Sequence, residues 1–259
     1  MGGLTKAAGV MAGAVGLALI AGVVWFNLAH PPLDIDKDTL CPKSGPLSTT
    51  VVLIDVSDPL TPLAQEDVKN EISAAAGEVP KFGHLELRLL DPGSEGGKVL
   101  FSRCNPGDGR ELSELIANPA LERKRFEQDF STPLQALLSS AVQSGPADTS
   151  PIMETIQWIA VKSRSSAGQG LSRLFVVSDM IQHSDEYSLY KGDPSFDRFR
   201  RSPAYQRLRT DLHGAEAVVF FIHRAKAGVM DNDLVQFWER WFADNDGSLV
   251  RVRKIEGTE

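Results

Sequence analysis

The chain reads as an α/β protein: a doubly wound, mostly parallel sheet with helices on both faces, preceded by one transmembrane helix. Three observations predict it. The apolar run Val51-Val52-Leu53-Ile54 stops abruptly at Asp55-Val56-Ser57, as a fully buried strand does when it delivers polar side chains to the carboxyl edge of a sheet. Arg173 to Asp179 repeats the design and ends in Ser178-Asp179, and Ala217 to Ile222 is a third buried run. Segments of helical period separate these strands, and strands that alternate with helices build a parallel sheet. At 259 residues, there is room for one core of about 200 residues and an appendage.

The appendage comes first. After a short tip, residues 1–6, the stretch 7–29 carries no charged residue. About 23 residues at 1.5 Å each cross a bilayer core of about 30 Å. Lys6 before the stretch and Asp34, Asp36 and Asp38 after it orient the amino terminus to the cytoplasm and the remainder outside. A cleaved signal peptide would have a shorter apolar region and a small-x-small site; here the run ends in Trp25-Phe26-Asn27-Leu28, and Trp suits an interface anchor. The expectation is therefore a single-pass protein of the inner membrane of a bacterial-type envelope, with its carboxyl-terminal domain in the periplasm. Gly9 and Gly13, and Ala14, Ala18 and Gly22, lie on four-residue stripes that let helices approach closely, the basis for a homodimer through the anchor. The formal charge of −7 and export both argue against nucleic acid as a partner. Cys41 and Cys104 are the two cysteines. An even count in an oxidising compartment suggests one disulfide, with two unpaired thiols as the alternative.

Residues 30–48 hold prolines and charges without a clear period and read as a linker. The domain proper is expected over 49–259. After the first strand, Val68, Ile72 and Ala75/Ala76 give Gln65–Ala76 helical spacing; His84 to Leu90 alternates as a half-exposed strand, Asp91-Pro92-Gly93 turns, and Lys98 to Arg103 returns as a hairpin. Leu112 to Gln143 has a helical pattern broken at Asn118-Pro119 and at Ser131-Thr132-Pro133. Ser150-Pro151 opens a further helix, a hydroxyl at the N-cap followed by Pro. Met180 to Ser202 has no strong period. Leu234, Phe237, Trp238, Trp241 and Phe242 fall on one helix face and read as core packing. Gly247 ends that helix, and Leu249 to Ile255, with alternating charges, closes as an edge strand.

Three loops meet at the carboxyl edge: Asp55/Ser57, Thr149/Ser150 and Ser178/Asp179. Together they resemble the von Willebrand factor A domain and its metal-ion-dependent adhesion site, which carries Asp-x-Ser-x-Ser after the first strand, a Thr opening a later helix and an Asp after the fourth strand. The resemblance covers residues 49–255 by pattern and order. Hydroxyls and carboxylates suit a hard divalent ion such as Mg²⁺ and leave a position for a partner's carboxylate. Carried over residue by residue, the resemblance implies Asp55, Ser57, Ser150 (or Thr149) and Asp179 around Mg²⁺. Pro59 stands where the second Ser belongs, which removes one ligand and leaves Asp58 and Thr61 as nearby substitutes. Without a metal, Asp55 and Asp179 would accept hydrogen bonds from loop N–H groups, and Ser150 would cap its helix. The resemblance also implies that Cys41 and Cys104 come to one side of the sheet at its bottom, in support of the disulfide.

Function is expected to be non-catalytic. Haloacid-dehalogenase-like phosphatases place a nucleophilic Asp after the first strand in Asp-x-Asp, and here Ser57 replaces the second Asp, the general acid/base. An exported metal-dependent phosphohydrolase with Asp55 as nucleophile is the alternative. No Gly-x-Ser-x-Gly elbow is present, and His84, His183, His213 and His223 show no metal-ligand spacing. The segment after Asp179 leaves the carboxyl edge and holds His183, Asp185, Glu186, Tyr187 and Tyr190. Long loops on a rigid scaffold carry binding, so these are the candidate partner-binding residues. The expectation is a membrane-anchored protein-binding module whose partner is a protein of an envelope complex.

Overall fold

A computed structural model of the chain describes residues 16, 17, 20–22, 24, 25, 33–55, 57, 59–110, 118–143, 147–167, 170–224 and 228–256. The chain divides into two compact units, Met1–Ile35 and Asp36–Glu259. Of the expected membrane span 7–29, the described residues, from Gly16 to Trp25, are helical. The remainder, with Gly9, Gly13, Ala14 and Ala18, lies outside the described residues. Among the described residues no helix is long and apolar enough to cross a membrane.

Among the described residues, the second unit has six strands: β1 (Thr49–Ile54), β2 (His84–Leu89), β3 (Lys98–Cys104), β4 (Arg173–Ser178), β5 (Glu216–Phe221) and β6 (Ser248–Lys254). They lie in the order β3-β2-β1-β4-β5-β6. Every neighbouring pair is parallel except the β2–β3 hairpin. The winding direction therefore reverses between β1 and β4, and the crevice outside the carboxyl ends at such a reversal is where open α/β sheets bind ligands. Asp55 and Ser178-Asp179 end the two strands that flank it.

Among the described residues, seven α-helices lie in the connections: α1 (Pro62–Gly77), α2 (Pro119–Phe126), α3 (Thr132–Ala141), α4 (Ile152–Ala167), α5 (Phe196–Arg200), α6 (Ala204–Arg207) and α7 (Asp231–Asp244). Side chains alternate across a strand, and this divides the core in two. Val51, Leu53, Leu174, Val176, Val219 and Phe221 pack with α4 and α7 on one face. Val52, Ile54, Phe175, Val177, Val218 and Phe220 pack with α1 and α3 on the other. The aromatic stripe of α7 is buried from Leu234 to Phe242, and the Trp238 indole N–H donates to the Met180 carbonyl at 2.7 Å.

Two local departures from the sequence reading have clear physical causes. At Ser131-Thr132-Pro133, the expected break is instead a π-helical turn, Glu127–Ser131, that runs directly into α3. Pro133 has no N–H to donate, and the wider turn accommodates it within the first positions of α3. The segment read as a linker is not loose after Asp36: the Cys104 N–H donates to Thr39 and the Leu47 N–H to Phe82. Cys41 and Cys104 are joined by a disulfide across 63 residues of sequence.

That cross-link restricts the unfolded chain. Replacing both cysteines, as Cys41→Ser/Cys104→Ser, is expected to lower the unfolding free energy by about 2–4 kcal/mol in urea titrations; unchanged stability would place the segment after Asp36 outside the cooperative unit.

Candidate binding site at the carboxyl edge of the sheet

β1 ends at Asp55, which is 3 % exposed. A carboxylate buried to this degree must be hydrogen-bonded to persist, and three donors supply that need. The Ser150 hydroxyl, at the head of α4, and the Ser178 hydroxyl, at the end of β4, both donate to Asp55 Oδ2, the latter at 2.8 Å. The Ser57 N–H donates to Oδ1 at 3.2 Å. The Asp55 N–H itself donates to Val177 in β4. One side chain thus ties β1, β4 and the start of α4 together.

Ser150 is not the cap of α4 that the sequence suggested. Its hydroxyl is committed to Asp55, and the cap is supplied by Gln182, whose Oε1 accepts the Met153 N–H at 2.9 Å. Gln182 is fully buried. Its amide donates to Glu154 Oε2 at 2.9 Å and to the Ser184 hydroxyl at 3.1 Å, and Ser184 donates to the other Glu154 oxygen. The backbone of His183 pairs with that of Ser150 in both directions, at 2.7 and 2.9 Å. The loop after Asp179 is therefore fastened to the head of α4 through Ser150, itself a member of the Asp55 network.

Asp179 is reached differently. Its Oδ1 accepts the Ile181 N–H at 2.9 Å, and Oδ2 lies 3.7 Å from Nε of Arg224, with both side chains largely buried. Arg224 follows β5 at the same edge, so a guanidinium stands beside the carboxylate that the sequence offered to a metal.

The remaining expected ligands separate. Thr149 is half-buried, and Ser150 rather than Thr149 reaches Asp55. Thr61 is exposed and caps α1, accepting the Ala64 N–H at 3.1 Å. Asp58 lies outside the described residues. Tested on the side chains present, the site fits an adhesion-type divalent ion poorly. Asp55, Ser57 and Ser150 offer hard oxygen donors, but Pro59 offers none, and Arg224 already supplies positive charge to Asp179. Elsewhere, Asp211, His213 and Asp246 form an acid–histidine group among the described residues. All three are exposed in loops preceding β5 and β6, and none of the expected ligands belongs to that group.

The segment 180–202 is not the polar loop its sequence suggested. Met180, Ile181, Leu189, Phe196 and Phe199 are buried, because the segment folds over α7 and contributes α5 to the aromatic core. Tyr187 goes with them. Its ring lies 4.9 Å from Phe199, its hydroxyl is buried without a hydrogen-bond partner, and burial pushes the phenol pKa up. Tyr187 is accordingly a core residue and presents nothing to a partner. Asp185 and Glu186 are exposed, Glu186 pairing with Arg207. Tyr190 is 48 % exposed and stands edge-on to the His183 ring at 5.4 Å; His183 in turn bonds the Ser188 hydroxyl through Nδ1 at 3.0 Å.

Sequence reasoning missed Gln182, Glu154 and Arg224. Arg224 carried a usable signal, a cation two residues beyond the third apolar run. Gln182 and Glu154 carried none, since an amide in a loop and a first-turn acid have many ordinary uses.

No protein-family profile and no curated protein sequence matches this chain. Among solved structures, it is similar to an aerotolerance-related membrane protein from Bacteroides fragilis NCTC 9343, with a TM-score of 0.35 and 11 % identity over 81 % of this chain and 92 % of that one. A von Willebrand factor type A from Catenulispora acidiphila gives 0.42 and 12 %, over 80 % and 39 %. The conserved hypothetical protein BatB from Bacteroides thetaiotaomicron gives 0.37 and 13 %, over 82 % and 91 %. The fold assignment rests on the strand order and register of this chain itself.

Replacing Asp55 by Ala leaves the buried hydroxyls of Ser150 and Ser178 without their acceptor. The expected cost is about 2–4 kcal/mol of unfolding free energy, with Asp55→Asn, which keeps one carbonyl acceptor, losing less. Equal stability of the alanine variant in denaturant titrations would show that the hydroxyls find other partners and that Asp55 is not the tie.

Proposed function

We propose that this chain is a membrane-anchored, non-catalytic module of von Willebrand factor A type. It binds a protein partner in a bacterial-type cell envelope through the surface that Asp185, Glu186 and Tyr190 present at the carboxyl edge. The observation that carries the reading is the fastening of that loop. His183 is paired to Ser150 and Gln182 to Met153 and Glu154, so an exposed aromatic ring and two exposed acids sit on a pre-ordered frame. Pre-ordered side chains lose little entropy on association, and tyrosine is enriched among residues that dominate interfaces. The uncharged stretch 7–29 supports the anchor, and the disulfide suits an oxidising compartment.

The site gives little support to catalysis. Asp55 is buried with its oxygens facing serine donors, the opposite of a nucleophile aimed at substrate. In this reading the module also works without Mg²⁺, because Arg224 holds Asp179 where an ion's charge would otherwise act.

The test is a crosslinked pull-down of the full-length protein from membranes, as wild type, Tyr190→Ala and Asp55→Ala, each with Mg²⁺ and with EDTA. Wild type is expected to capture the same discrete partner under both conditions, and Tyr190→Ala to lose about tenfold or more of it, as for a central interface residue. Capture by wild type in Mg²⁺ alone would overturn the metal-free reading and assign the oxygens of Asp55, Ser57 and Ser150 to the ion. Equal capture by Tyr190→Ala would remove the loop from the interface.

A further inference from the structure

We infer that the amino edge of the sheet carries a second, separate site: a cavity of about 430 Å³ that takes a small organic anion, its charged end at Lys162 and Thr49, its apolar body against Ile159, Pro42 and the disulfide. This lies at the opposite ends of the strands from Asp55. Its size falls within the range of small-molecule pockets.

The strand register builds the floor. Leu85 and Leu87 of β2 enter the core beneath α1, so His84, Glu86 and Arg88 point to the other face, as Thr49 does at the start of β1. One wall is Ile159, Lys162 and Ser163 of α4, and the segment Thr39 to Pro46 closes over the top. The disulfide and the Cys104 N–H bond to Thr39 hold that segment in place.

Charge then selects the ligand. Arg88 pairs with Glu86, donates to the Gly96 carbonyl at 2.8 Å and lies over the Trp158 ring at 4.6 Å from its centroid. These two opposite charges cancel, and Glu86 is the single acid among the described residues lining the cavity. Of the other charged lining residues, Lys43 lies near Asp36 and acts on it, and Lys162 adds a cation from α4, on a chain whose formal charge is −7. His84 bonds the Ser102 hydroxyl through Nε2 at 2.9 Å, and burial pushes its pKa down, so it adds polarity rather than charge at neutral pH.

An unsatisfied group points the same way. Thr49 is 3 % exposed and lines the cavity, yet its hydroxyl is buried without a hydrogen-bond partner. A buried orphan of this kind calls for a partner that the protein does not itself supply. A carboxylate or phosphate group carries several acceptor oxygens, so it can accept from a hydroxyl and pair with the Lys162 ammonium that lines the same cavity.

Isothermal titration of the full-length protein in a non-ionic detergent tests this with four probes: phenylacetate, phenyl phosphate, neutral 2-phenylethanol and inorganic phosphate. At least one aromatic anion is expected to bind about tenfold more tightly than both the neutral aromatic and inorganic phosphate. The preferred headgroup identifies the ligand as a carboxylate or a phosphate ester, and either supports the site. Lys162→Glu, at an exposed position of α4, is expected to weaken that binding about tenfold, and the near-isosteric Thr49→Val about threefold, with thermal melts checking that both variants are folded. Equal binding of 2-phenylethanol, full binding by folded Lys162→Glu, or no heat from either aromatic anion at millimolar concentration would overturn the proposal.

Discussion

The architecture of the carboxyl edge depends on one buried carboxylate. Asp55 accepts hydrogen bonds from the Ser150 and Ser178 hydroxyls and the Ser57 N–H, at the point where the sheet's winding reverses. A buried polar group is costly unless it is hydrogen-bonded, so the three donors and their elements are held wherever Asp55 sits. The strand delivers the carboxylate, the carboxylate positions the head of α4, and the head of α4 holds the loop that leaves β4. Order at an exposed surface is thus derived from a group that the solvent hardly reaches.

The two edges of the sheet divide the chemistry. At the carboxyl edge, Ser150 and Ser178 satisfy Asp55, and Arg224 stands beside Asp179. At the amino edge, a paired Arg88–Glu86 floor, two lysines and an orphan hydroxyl enclose a cavity. The disulfide belongs to the second arrangement, since it holds the segment that closes the cavity. The hydrophobic core between them is indifferent to both: α1 and α3 on one face and α4 and α7 on the other bury the sheet by simple alternation.

Much of this was legible in the sequence, and for reasons that can be named. Buried parallel strands are near-continuous apolar runs, so Val51–Ile54, Arg173–Ser178 and Ala217–Ile222 announced the centre of the sheet and the polar residues that end it. The α7 stripe showed its helical period openly. Asp55 and Ser150 were legible as neighbours because the parallel strands all end at one edge, where the connections that follow them begin. Their relation was not: a hydroxyl before Pro151 reads as a cap, and only the fold shows that Asp55 takes that hydroxyl while Gln182 replaces it. The segment 180–202 was misread because its apolar residues, Ile181, Leu189, Phe196 and Phe199, are too sparse to sustain a helical or strand period beyond the single turn that holds Phe196 and Phe199. A loop packed on a core has no periodicity to betray it. Tyr187 was lost with it, buried where an exposed anchor was expected.

The most direct measurement is amide hydrogen exchange of the full-length protein, wild type against Asp55→Ala, resolved along 150–190. If Asp55 holds the loop through α4, the amides of His183 and Leu189, bonded to Ser150 and Gln182, will lose about tenfold more protection than those of the β5–β6 ladder, a local loss of ~1.4 kcal/mol beyond any global one. If the loop and the distant ladder lose protection equally, the loop is ordered by its own aromatic packing, and the chain of dependence from Asp55 to the binding surface is contradicted.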